Sequence, residues 1–90
     1  MQVDMHITGK DNHVLAIDLG TSGPKAAVVS QSGAIVATSR AHVEPIFLPD
    51  GGVEQDPEAV WSACKSACRQ ALQRSGVAAD KVLALACRSQ

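Results

Sequence analysis

The sequence predicts an α/β fold made of a three-stranded antiparallel meander, one long helix and a closing strand parallel to the first. Apolar stretches rich in β-branched residues, over residues 13–19, 25–30 and 34–43, are separated by short turns of Gly, Ser and Pro. Asp56-Pro57-Glu58 then opens a helical pattern that stops at Ser75-Gly76. After it comes a short bounded apolar run, Val82-Leu83-Ala84-Leu85-Ala86, that reads as a strand.

Taken in order, residues 1–12 show no clear period and end in the polar cluster Gly9-Lys10-Asp11-Asn12, which predicts a flexible leader. His6 and His13 read as isolated, solvent-facing side chains. The first strand, about residues 13–19, is apolar on both faces until Asp18, as expected of a central strand covered on both sides. Gly20-Thr21-Ser22-Gly23 makes the turn, and Pro24 falls at the start of the second strand, where its missing N–H is tolerated. Gln31-Ser32-Gly33 leads to the third strand, in which Ile35, Ala37, Ser39 and Ala41 alternate with Val36, Thr38, Arg40 and His42.

Residues 44–56 carry Pro45, Pro49 and Asp50-Gly51-Gly52 and read as a loop, with Phe47 and Leu48 tucked onto the body. Asp56 is placed to cap the helix, Pro57 to occupy its first position and Glu58 to complement its dipole. The helix is expected from Pro57 to about Arg74. It buries Val60, Ala63, Cys64, Ala67, Ala71 and Leu72 and turns Lys65, Arg69, Gln70 and Arg74 outward. Trp61, beside the apolar stripe, reads as a packing residue. A right-handed crossover then brings residues 81–87 into the sheet parallel to the first strand.

Composition excludes several classes. With 46% hydrophobic residues the chain is not disordered by composition, although Ala and Val dominate and Phe47 and Trp61 are its aromatic residues. Eight basic and nine acidic residues are scattered along it, which leaves no electrostatic footprint for nucleic acid or an anionic membrane. No apolar run approaches the ~20 residues of a membrane helix, and the first residues lack a signal peptide's basic start and apolar centre. A cytoplasmic protein is expected. Three cysteines, an odd number, argue against a disulfide framework, and the Cys64/Cys68 spacing is not that of a C-x-x-C metal pair.

The chemistry concentrates in the first turn. Gly20 and Gly23 allow positive φ and close backbone approach, so that successive amides can face one anion. Thr21 and Ser22 add hydroxyls, and Lys25 adds a positive charge. Asp18 supplies a carboxylate of the kind that holds hydrated Mg²⁺ near phosphate oxygens. A Gly/Ser/Pro hairpin with a neighbouring Asp is also an ordinary local turn, and these residues alone leave both readings standing. The P-loop and G-x-G-x-x-G spacings are absent.

Asp18-Leu19-Gly20-Thr21-Ser22-x-x-Lys25 resembles the first phosphate motif of the actin, Hsp70 and sugar-kinase superfamily. Gly52-Val53-Glu54-Gln55-Asp56-Pro57-Glu58-x-x-Trp61 is similar to the G-x-V-E-Q-D-P-x-x-x-W segment of the FGGY carbohydrate kinases, and the last strand, ending in Ser89-Gln90, to a strand of that family that closes on Gln. The Hsp70 branch shares the first motif but does not account for the second. The resemblance implies a ribonuclease-H-like fold, with residues 13–90 the N-terminal part of a first domain within a protein several times longer.

It also implies transfer of the ATP γ-phosphoryl group to a sugar or polyol hydroxyl. Asp18 would hold Mg²⁺, Gly20, Thr21, Ser22 and Gly23 would wrap the phosphates, and Lys25 would approach the γ-phosphoryl oxygens. Gln90 would adjoin the substrate. The general base and the adenosine pocket belong to later sequence, so 90 residues alone are expected to be inactive. Two departures stand out: Gly23-Pro24 stiffens the turn, and Arg88 stands where the family more often has a small residue and reads as a surface side chain in preference to an added phosphate or sugar contact. The alternative is a non-catalytic module that associates with another chain, or with copies of itself, through the exposed edge of the third strand.

Overall fold

A computed structural model describes residues 12–89. Strands β1 (His13–Gly20) and β2 (Gly23–Ser30) form a hairpin, and β3 (Ile35–Arg40) continues the meander. After β4 (Ile46–Phe47) and β5 (Val53–Glu54) come helix α1 (Pro57–Ser75), a 3₁₀ turn at Ala79–Lys81, and β6 (Val82–Ser89). The main sheet has the order β3-β2-β1-β6, antiparallel except for the β1–β6 pair, which is parallel. This is the predicted meander, helix and parallel return.

The helix forms where its signals stand. The Asp56 carboxylate accepts from the Glu58 amide at 3.2 Å, a cap worth about 1 kcal/mol. Gly76 ends the helix in the left-handed conformation (φ 70°), its amide reaching the Leu72 and Gln73 carbonyls. Ala63, Ala67 and Ala71 form the buried stripe, with Cys68 and Leu72 at its margin. Such small side chains let α1 lie close to the sheet, where Leu15, Ala26 and Val28 complete the core.

Several expectations are corrected. The helix lies across β2 and β3 and barely touches β1, so the central strand is covered on one face only, and its residues from Ala16 onward are half-buried. His13 is no solvent-facing bystander: it opens β1 and is buried, as is Asn12. His6 and the rest of the expected leader lie outside the described residues. Residues 44–56 are not wholly loop, because β4 and β5 pair antiparallel.

Phe47 does not tuck in. It is 75% exposed, since the two-residue strands bring it opposite Val53 with nothing packed above. Trp61 is 59% exposed with the Lys65 ammonium 5.5 Å from its ring, so it is not a core packing residue and its removal carries no core-cavity cost. Gln70, expected outside, is half-buried: it accepts from the Ser39 hydroxyl at 2.9 Å and donates to Ser66. On β6, Leu83 and Leu85 are exposed. No helix among the described residues is long and apolar enough to cross a membrane.

Candidate functional site

The β1–β2 hairpin turns through two residues, Thr21 and Ser22, with Gly20 opposite Gly23 at the base of the turn. Only Gly23 takes the positive φ expected of both glycines, at 134°. A Cβ there would collide with the Ala41 carbonyl oxygen, whereas one on Gly20 would meet only ordinary contact. The close approach exists because the chain leaving β3 runs behind the turn: Ala41 donates to the Pro24 carbonyl at 3.0 Å and Val43 to the Ser22 carbonyl at 3.2 Å. Pro24, fully buried, stiffens the strand that leaves it.

A second anchor comes from the other side. The Gln55 side-chain amide donates to the Thr21 carbonyl at 2.8 Å, across 34 residues of sequence. Gln55 follows β5 and immediately precedes the Asp56 cap, so the segment that starts the helix also holds the hairpin tip. With both tip carbonyls, Thr21 and Ser22, tied back, the tip amides lie outside the strand ladder, where an anion can reach them.

Register then places the charged groups. Asp18 stands opposite Lys25 on β2 and beside Arg88 on β6, while Lys25 stands opposite Arg40 on β3. Ala26 and Val28 face the helix, so by strand alternation these four residues share the open face of the sheet. Asp18, Lys25 and Arg88 line one groove of about 280 Å³ there. One Asp18 oxygen, Oδ1, is buried with no hydrogen-bond partner.

The expected site residues are therefore split between two hollows. Asp18 and Lys25 line the open-face groove; Gly20, Thr21 and Gly23 line a hollow of about 260 Å³ at the tip, with Gln55 and Val43. Ser22 lines neither and is exposed at the turn. Gln90 lies outside the described residues. Sequence reasoning placed Gln55 as a residue that organises its loop but missed its partner, the Thr21 carbonyl, and it missed that Arg88 stands beside Asp18.

The groove suits a hydrated hard cation. Among the described residues no group of three or more His, Cys, Asp or Glu side chains is arranged to hold a metal by itself. A single carboxylate with an unsatisfied buried oxygen matches the way Mg²⁺ is commonly held, by one or two carboxylates together with water and phosphate oxygens.

Comparison with known proteins gives a consistent picture. The model of the N-terminal domain of the FGGY family of carbohydrate kinases matches residues 13–90. A glycerol kinase of Beutenbergia cavernae is 40% identical over 79 residues, covering 88% of this chain and 16% of that protein. Glycerol kinase 1 of Pseudomonas aeruginosa is 37% identical over the same length, with the same coverage. The chain thus spans about one sixth of the length of these relatives (16%). The crystal structure of a xyloylose kinase from Brucella ovis superposes with a TM-score of 0.80 at 24% identity, over 88% of this chain and 17% of that one, which establishes the fold.

Proposed function

The chain belongs to the FGGY family of carbohydrate kinases, through the family's N-terminal domain, and on that premise we propose that it carries the first phosphate-binding hairpin of an ATP-dependent kinase acting on a sugar or polyol hydroxyl. The observation that carries the reading is the buried, unpartnered Oδ1 of Asp18, set opposite Lys25 beside a tip whose carbonyls are tied back. The relatives named as glycerol kinases make glycerol the first acceptor to screen.

Phosphoryl transfer asks the protein mainly for positioning and for neutralisation of charge on the moving group. Mg²⁺, held by Asp18 through water, would supply that neutralisation at the phosphate oxygens. The chain's own residues provide the rest. Thr21 and Ser22 offer backbone amides to the phosphates, Gly20 and Gly23 keep the approach open, and Lys25 brings its ammonium to the terminal phosphoryl group. Gln55 and Val43 hold the tip so that the amides need no reordering when the anion arrives. The general base and the adenosine pocket would lie in other parts of the kinase, and residues 1–90 alone would not turn over.

In the full-length polypeptide, Asp18→Ala is expected to lower kcat for acceptor phosphorylation by orders of magnitude while leaving the far-UV spectrum unchanged. An unaltered kcat removes the role assigned to Asp18. No described feature favours the reading of a module that acts only by association.

A further inference from the structure

The nucleotide reading gives Arg88 no role, yet the sheet brings it, on the edge strand β6, into the charged row of the open face. It is the β6 neighbour of Asp18, as Lys25 is its β2 neighbour, and all three line the same groove. Adjacent strands lie about 4.8 Å apart, so Lys25 and Arg88 leave the sheet about 10 Å from each other with the carboxylate between them. Both side chains are long enough to converge over it. Neither is engaged elsewhere: among the described residues, Lys25 and Arg88 form no ion pair, and both are exposed. Arg40 extends the row beyond Lys25, so three cations accompany one carboxylate. Such a row has an excess of positive charge, which an anion bound there, with or without its metal ion, would offset.

The row and the tip serve different parts of that anion. Asp18 lies two residues before Gly20, about 7 Å along the strand from the base of the turn. A polyphosphate lying along the hairpin presents one group to the tip amides and another to the row. The terminal phosphoryl of a nucleoside triphosphate carries the most negative charge and matches the end where the cations gather. A guanidinium adds what Lys25 lacks, a planar fork that takes two phosphate oxygens at once.

We propose that Arg88 is a second cationic arm of the site, holding the terminal phosphoryl group of the nucleoside triphosphate from the β6 side while Lys25 holds it from the β2 side. The inference rests on the nucleotide reading above and adds a binding residue to it. Because the Arg88 side chain is exposed and makes no side-chain hydrogen bond or ion pair with a described residue, its replacement leaves the fold intact.

The test is calorimetric titration of MgATP and of MgADP, which lacks the terminal phosphoryl, into the full-length polypeptide carrying this segment. Wild type, Arg88→Gln, Arg88→Lys and Lys25→Gln are compared. Arg88→Gln is expected to weaken MgATP at least tenfold and MgADP less than twofold, with partial recovery in Arg88→Lys and the same ATP-selective loss in Lys25→Gln. Wild-type MgATP affinity in Arg88→Gln, alongside a loss in Lys25→Gln, overturns the proposal and leaves the nucleotide reading standing. Equal losses for both nucleotides also overturn it, since contact with the terminal group is then absent. A wild-type protein that binds neither nucleotide overturns the underlying reading and the proposal with it.

Discussion

Replacing Gly23 by alanine tests how the hairpin tip is built. The new Cβ adopts a φ of 134°, outside the regions open to L-residues, and is driven into the Ala41 carbonyl oxygen. The backbone strain costs about 1–3 kcal/mol. Relief requires the segment behind the turn, residues 41–43, to move away, which breaks the Ala41–Pro24 and Val43–Ser22 hydrogen bonds, each worth about 1 kcal/mol. The expected loss is about 3–5 kcal/mol, a large share of the ~5–15 kcal/mol that holds a typical domain together. Gly33→Ala is the control. It also places a Cβ at positive φ, at 92°, but in open space, and should cost only about 1–2 kcal/mol. Urea midpoints of the two variants, with unchanged slope, give the comparison. Equal midpoints would refute the claim that residues 41–43 brace the tip.

Gln55→Ala removes a 2.8 Å hydrogen bond and should lower stability by its net worth of about 0.5–1.5 kcal/mol. The freed tip must then be ordered when the nucleotide binds, so MgATP affinity in the full-length protein should also fall, by at most about 10-fold, the equivalent of that energy. Gln55→Glu loses the donor and also brings a negative charge to the tip, so it should weaken MgATP more than Gln55→Ala does; wild-type affinity in both variants dismisses the anchor. Cys64 and Cys68 give a pH prediction. Burial first, and then the neighbouring thiols, push both above the ordinary thiol value. The folded form therefore keeps protons that the unfolded chain loses from about pH 8.5 upward, and stability should decline as pH rises beyond that point. The decline should be shallower in the Cys64→Ala/Cys68→Ala variant; identical urea midpoints against pH for the two proteins would contradict it.

The fold was legible where the sequence carries local signals. The Asp56-Pro57 start and the Gly76 stop set the helix, and turn residues bounded the three strands of the meander. What was not legible depends on partners distant in sequence. Two-residue strands such as β4 and β5 are too short to show a period, and nothing local tells whether Phe47 finds a surface to cover it. Coverage of β1 depended on where α1 came to rest across the sheet.

The site divides in the same way. Asp18, the glycine turn and Lys25 lie within eight residues, and their hairpin geometry follows from the turn. Gln55 reaches Thr21 from 34 residues away. Arg88 meets Asp18 only because the β1–β6 pairing skips one residue between His13 and Val14. Val82 stands beside His13 but Ala84 beside Val14, and without that shift Cys87 would face the carboxylate. A bulge of this kind leaves no mark in composition or period.

The central claim is that a nucleotide's phosphates lie on the β1–β2 hairpin. Its most direct test is an amide NMR titration of the isotopically labelled full-length protein with MgATP. The largest shifts should fall on Thr21, Ser22 and Gly23, with Asp18 and Lys25 following, and Asp18→Asn should diminish them all. Saturable MgATP binding that leaves these five amides unmoved while others shift would contradict the account.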